Sequence, residues 1–281
     1  MEKSIGIVGS GVMGSGIAQI ATQNGYSVIM TDTSETQMEA AVTRITNGLN
    51  QGVERGFVEK STRDKAIELL TTTKNLEDVA ESSIIIENIW ENQSAKTTLL
   101  ERLDRIAPDE TIFASNTSTI PITELATSTH RPDKVVGMHF FNPPYAMQLV
   151  EVIKGYHTSE HTVQEIVTLS EGMGRKPVVI ADSAGFVVNR LIAPFLNEAT
   201  FLLQESVASK EDIDQCVRLG LNHPMGPFQL MDLVGLDVIL HEITTIFEKT
   251  GDPKYRPSQL LTRMVAAGQL GRKTKAGWYD Y

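Results

Sequence analysis

The sequence predicts an α/β chain: a doubly wound, mainly parallel sheet followed by an all-helical C-terminal domain. Three observations carry that prediction. A strand, a glycine turn, a helix and a second strand open the chain. Apolar runs of strand length then alternate with helical patterns as far as Ala181, and from Ser183 onward no strand pattern recurs. The change of character near Asp182–Ala184 divides the chain into domains of residues 1–183 and 184–281.

The opening unit, Lys3–Asp32, reads KSIGIVGSGVMGSGIAQIATQNGYSVIMTD. Ile5–Val8 is apolar and has the length of a buried strand. Gly9, Gly11 and Gly14 follow at G-x-G-x-x-G spacing, with Val12 and Met13 between the last two. Met13, Ile17, Ile20 and Ala21 form one apolar stripe of a helix, and Val28–Met30 is a second strand leading to Asp32. A dinucleotide pyrophosphate needs this arrangement. Gly9 permits the tight turn, Gly11 lets the backbone approach the phosphates, and Gly14 lets the helix pack close to the sheet. Asp32 stands where a carboxylate accepts from both ribose hydroxyls. The glycines alone would also suit a loop without a ligand. With both strands, the helix and the acid in register, they describe a dinucleotide-binding Rossmann unit. Asp32 would repel a 2′-phosphate and no arginine follows in Thr33–Ser34, so the cofactor expected is NAD rather than NADP.

The remaining elements follow in order. Glu35–Val53 is helical behind the capping pair Thr33/Ser34, and Glu54–Leu70 is charged and helical. Arg44, Arg55, Lys60, Arg63 and Lys65 gather there, either as a solvated face or as a landing surface for an anionic ligand tail. SIIIE (Ser83–Glu87) is a β-branched strand. Asn92–Ile106 is a helix striped by Leu99, Leu100, Leu103 and Ile106. TIFAS (Thr111–Ser115) is the next strand, then a polar turn and a short helix, Ile120–Ala126, begun by Pro121. VVGMH (Val135–His139), LVEVI (Leu149–Ile153) and Pro177–Ala181 complete the strands, with a helix at Ser159–Gly174. In the second domain Ala184–Val207 reads as one helical run containing Pro194. Lys210–Gly220, Phe228–Lys249 and Pro257–Gly268 follow as further helices.

Composition narrows the partners. The chain has 281 residues, 41% of them hydrophobic and 21% charged, as in soluble globular proteins. A formal charge of −10 argues against a nucleic-acid surface but leaves room for a local basic patch. No apolar run approaches the roughly 18 residues of a membrane span. The first strand starts at residue 4, without space for a targeting segment, so the expected location is the cytoplasm. The lone cysteine, Cys216, cannot form an intrachain disulfide and has no base nearby to activate it. No Cys/His cluster suggests a metal.

Reactive groups are expected at the carboxyl ends of the strands, where open α/β sheets bind ligands. Ser118 lies just past TIFAS, and His139 closes VVGMH before Phe141-Asn142-Pro143-Pro144. If the Pro-Pro turn folds the chain back, Glu151 comes beside His139. That pairing suits hydride transfer to or from an alcohol: the imidazole takes the hydroxyl proton while the carboxylate fixes its tautomer and stabilises the imidazolium. Read from the residues alone, His139 is as readily a satisfied strand-end histidine.

Together, GSGVMGSGIAQ, ASNTS, HFFNPP, LVEVI, GFVVNRLIAPFLNEA, HPMGPFQLMDLVGLD and GRKTKAGWYDY resemble the 3-hydroxyacyl-CoA dehydrogenase family over essentially the whole chain. The resemblance implies NAD-dependent, reversible oxidation of an (S)-3-hydroxyacyl-CoA by a homodimer joined through its helical domain, with 3-hydroxybutyryl-CoA as the nearest substrate. It also implies roles: His139 as general base with Glu151 as its partner, and Ser118 and Asn189 at the reacting end of the substrate. Glu91, Lys96, Ser118, Asn142 and Lys273 would serve the cofactor, and Arg55 the CoA phosphates. Two positions depart from the family pattern: Trp90 puts bulk at the cofactor edge, and Gly48 replaces a CoA-contacting serine of some members. Two other readings stay open at this point, a dehydrogenase of a free hydroxy acid and a non-catalytic NAD-binding protein.

Overall fold

The computed structural model describes residues 4–281. The chain divides into two compact units, one ending at Asp182 and the other starting at Ser183.

The first unit is built on β1 (Ser4–Val8), α1 (Val12–Gln23), β2 (Ser27–Thr31), α2 (Glu35–Glu54), α3 (Lys60–Glu68), β3 (Leu70–Thr73) and α4 (Leu76–Ala80). It continues with β4 (Ile84–Glu87), α5 (Gln93–Ile106), β5 (Ile112–Ser115), α6 (Ile122–Ala126), β6 (Val135–Phe140), β7 (Leu149–Lys154), α7 (Glu160–Gly172) and β8 (Lys176–Ala181). The eight strands form one sheet in the order β3-β2-β1-β4-β5-β6-β7-β8. All neighbours run parallel except β6 and β7, which are antiparallel. Central strands β4, β5 and β6 are buried at every residue, which explains their unbroken apolar runs: both faces of a parallel sheet are covered. Ile5, Ile7, Ile17, Ile45, Ile86 and Met138 belong to the core between sheet and helices.

Three expectations need correction. The region after α2 holds not only a helix but also β3, whose LTTT sequence carries no apolar run because an edge strand needs covering on fewer sides. In the second unit, residues 184–187 are non-helical and α8 (Val188–Gln204) starts after them, with Pro194 inside it. The stretch expected as a single helix at Phe228–Lys249 is two, α10 (Pro227–Val234) and α11 (Leu236–Thr250), broken at Gly235, whose φ of 109° an L-residue rarely adopts.

With α9 (Lys210–Gly220) and α12 (Gln259–Ala266), these helices bury Phe228, Met231, Leu236, Ile243 and Trp278 in a core of their own. The C-terminal segment is fastened to it. Both oxygens of the buried Asp232 carboxylate accept from backbone N–H groups, of Trp278 and of Tyr279, each at 2.9 Å. No helix among the described residues is long and apolar enough to cross a membrane.

Candidate active site

The glycine turn shows why each glycine is there. Gly9 has φ of 102°, and a Cβ on it would stand 2.5 Å from the Asn88 carbonyl oxygen. A Cβ on Gly14 would stand 1.9 Å from the Gly9 carbonyl oxygen, so the helix closes on the turn only with glycine there. Gly11 differs: a Cβ there would meet nothing within 4 Å. Its missing side chain serves no neighbour in the chain and instead clears the approach to the N-terminus of α1, which no side chain caps. Open backbone at a helix N-terminus fits a pyrophosphate. Val12 and Met13 form the first turn of that helix.

Asp32, just past β2, completes the unit. The N–H and hydroxyl of Ser10 donate to its Oδ2 at 2.8 and 2.9 Å, and the Ser34 N–H to Oδ1 at 3.0 Å. Burial pushes the carboxyl upward, but these donors outweigh it and hold the group below the usual aspartate range. Asp32 is therefore a carboxylate at neutral pH, suited to accepting ribose hydroxyls and hostile to a 2′-phosphate. These residues fit NAD.

The antiparallel register of β6 and β7 puts His139 directly opposite Glu151, on one face of the sheet. Nδ1 of His139 and Oε2 of Glu151 are 2.8 Å apart, and both residues are buried. The Phe141 ring lies 4.5 Å from the imidazole, centroid to centroid. The end of β6 is anchored by Asn116, whose Oδ1 accepts from the Phe140 N–H at 2.8 Å.

Ser118 sits in a turn that Glu91 organises. One oxygen of Glu91 accepts from the Thr117 hydroxyl (2.6 Å), the Ser118 N–H (2.9 Å), and the N–H and hydroxyl of Thr119 (3.0 and 3.1 Å). Burial would raise the Glu91 carboxyl, but the Lys96 ammonium and these donors bring it below its ordinary value. Lys96 is itself wholly buried: its Nζ lies 2.6 Å from Glu87 Oε1, 3.2 Å from the Ile89 carbonyl and 3.5 Å from Glu91 Oε2. Glu87 in turn accepts from the Ser115 hydroxyl at 2.6 Å. Sequence reasoning did not single out Glu87 or Asn116. A lone acid ending an isoleucine strand was the available signal for Glu87, and Asn116 gave none.

A cleft of about 800 Å³ opens between α1, α2 and the turn after β6, lined among others by Arg44, Gly48, Arg55, Phe57, Asn142 and Tyr145. Arg44 is spent within the chain, donating to the Ser15 hydroxyl and the Ser10 carbonyl. Arg55, past the end of α2, is exposed. A Cβ on Gly48 would lie 2.5 Å from the Gln19 side-chain oxygen, so a serine there would require that amide to move.

Two site candidates belong to the second unit. Asn189, in the first turn of α8, directs its Nδ2 to Glu242 Oε1 at 3.4 Å. Lys273 pairs with Asp237, Nζ to Oδ1 2.5 Å.

Residues 4–183 match the family model described as 3-hydroxyacyl-CoA dehydrogenase, NAD binding domain, and residues 185–281 match the C-terminal domain of the same family. The probable 3-hydroxybutyryl-CoA dehydrogenase of Bacillus subtilis is 45% identical over 279 residues, 99% of this chain and 97% of the relative. The 3-hydroxybutyryl-CoA dehydrogenase of Clostridioides difficile is 43% identical over 277 residues, 99% of each. Among solved structures, (S)-3-hydroxybutyryl-CoA dehydrogenase from Ralstonia eutropha superposes with a TM-score of 0.97 at 40% identity, covering 100% of this chain and 99% of the other.

Proposed function

Because the chain belongs to the 3-hydroxyacyl-CoA dehydrogenase family, we propose that it oxidises (S)-3-hydroxyacyl-CoA, with 3-hydroxybutyryl-CoA as the natural substrate, reversibly to the 3-oxoacyl-CoA. The observation that carries this reading is the buried His139–Glu151 pair at 2.8 Å, with His139 next to the carboxyl end of β6 in a dinucleotide-binding sheet.

NAD, bound along Gly9–Gly14 and Asp32, supplies the hydride acceptor. The chain's own residues handle the proton. Glu151 holds a proton on Nδ1 of His139, which makes Nε2 the basic nitrogen that takes the substrate hydroxyl proton. The imidazolium so formed is stabilised by the facing carboxylate. Ser118, in a turn fixed by Glu91, holds the reacting oxygen, and the Asn189 amide donates to the acyl oxygen as charge builds there. Asn142 contacts the nicotinamide side. Glu91 and Lys96 would shape the cofactor edge; Lys273, the remaining cofactor candidate, is paired with Asp237 within the helical unit. The cleft carrying Arg55 accepts the CoA nucleotide: its volume suits a ligand of that size, and an exposed guanidinium suits a phosphate. We read the protein as a cytoplasmic homodimer joined through its helical unit, acting on no nucleic acid or membrane.

The test is His139→Gln assayed with acetoacetyl-CoA and NADH. A general base contributes about 10²–10⁴-fold, so the expected loss of kcat lies in that range. A rate within about tenfold of wild type would remove the proton-transfer role. Equal rates with free 3-hydroxybutyrate and its CoA ester would point instead to a free hydroxy acid as substrate.

A further inference from the structure

Trp90 is the large side chain at the cofactor edge to which the proposed chemistry gives no task. The sheet order reverses at β1 and β4: the chain leaves β1 toward β2 and β3 on one side, then returns to start β4 on the other. The crevice beyond the carboxyl ends of those two strands is where such a sheet receives its ligand. The loop Asn88–Glu91 rims that crevice. Much of its backbone is held. The Asn88 N–H donates to the Val8 carbonyl and the Ile89 N–H to Glu87 Oε1, both at 2.7 Å, and the Asn92 N–H to the Trp90 carbonyl at 2.8 Å. Glu91 ties the far end to the Ser118 turn. On the near side the Gly9 turn touches Asn88 so closely that a Cβ would not fit. Yet the Trp90 side chain that this fixed loop carries is 72% exposed. An indole on a backbone already ordered gains contact area on binding with little further loss of freedom.

The strand order says what it would contact. From the glycine turn, the strands run β1, β4, β5, β6, about 4.8 Å apart. The pyrophosphate belongs over the turn at Gly11, and His139, the penultimate residue of β6, lies three strands across. A dinucleotide spanning those two points crosses the end of β4. We propose that Trp90 is a cofactor-contacting residue, its indole lying along the nicotinamide half of bound NAD. This rests on the reading of Gly9–Asp32 as the NAD site and of His139 as the proton acceptor, and adds to it an aromatic wall.

The chain's two tryptophans allow a direct test. The other, Trp278, is buried in the helical unit with its ring 4.8 Å from Phe228. Tryptophan emission of the full-length protein is titrated with oxidised NAD, which does not absorb at that emission, so lost intensity reports contact. Wild type and Trp278→Phe should both quench saturably. Trp90→Phe should keep its remaining emission while calorimetry still detects NAD binding, and Trp90→Ala should bind NAD about tenfold more weakly, the worth of a good aromatic contact. Persistent quenching in Trp90→Phe, or unchanged affinity in Trp90→Ala, would overturn the proposal. If wild type bound no NAD at all, the cofactor site itself would fall, and this contact with it.

Discussion

Asp32 shows how a single carboxylate sets cofactor choice. Its two oxygens already accept from Ser10 and Ser34, which holds it ionised, and an ionised group offers ribose hydroxyls charge-assisted acceptors. Each such bond is worth roughly 1.5–3 kcal/mol. Asp32→Ala should therefore weaken NADH on the order of 10²-fold. NADPH, which loses a repulsion and gains nothing else, should bind no worse than to wild type, so the preference between the two narrows. Parallel calorimetric titrations with NADH and NADPH decide it. An unchanged ratio of the two affinities would mean that discrimination lies elsewhere in the turn.

At the scale of elements, the turn after β5 depends on the loop after β4. Four donors converge on one oxygen of Glu91, and Lys96 faces the other. Because the folded-state pKa of Glu91 lies below its ordinary value, the charged form stabilises the fold. That contribution is fully present above the unfolded value of about 4.3 and is lost as pH falls through the depressed folded value. Glu91→Gln should lower stability to denaturant by about 1–3 kcal/mol at pH 7, the cost of weakening a half-buried charged acceptor. The gap from wild type should shrink once pH drops below about 4; a gap independent of pH would mean the charge is irrelevant. The same pair of elements shows what was legible in advance. β4, β5 and β6 announced themselves because burial on both faces demands unbroken apolar runs, and His139 met Glu151 because an antiparallel return after Pro143-Pro144 fixes the register. Two of the supports were far less legible. Glu87 and Asn116 act across strands, so no local spacing marks them. β3 is polar because it lies at an edge, and Gly235 breaks a helix whose flanking residues are all compatible with continuing it.

For the whole molecule, a formal charge of −10 means that two copies repel at long range. Over roughly 10 Å at 0.1 M salt that repulsion is screened, so association has to rest on apolar contact and should strengthen, not weaken, as salt is added. The helical unit offers such contact: Leu219 is 74% exposed near the end of α9, and Leu221 and Val207 are exposed as well. Large apolar side chains left in water in one unit are the kind of surface a second copy covers. Sedimentation of the wild type should give twice the mass of one chain, with a dimer at least as tight in 0.5 M as in 0.05 M salt. The double substitution Leu219→Glu/Leu221→Glu adds two charges that burial would strand without partners, at a cost of several kcal/mol each. It should sediment as a monomer at both salt concentrations, with its emission titration by NAD unchanged because the dinucleotide turn lies in the other unit. A wild type that stays monomeric would contradict the homodimer, and a double variant that stays dimeric would move its interface off α9.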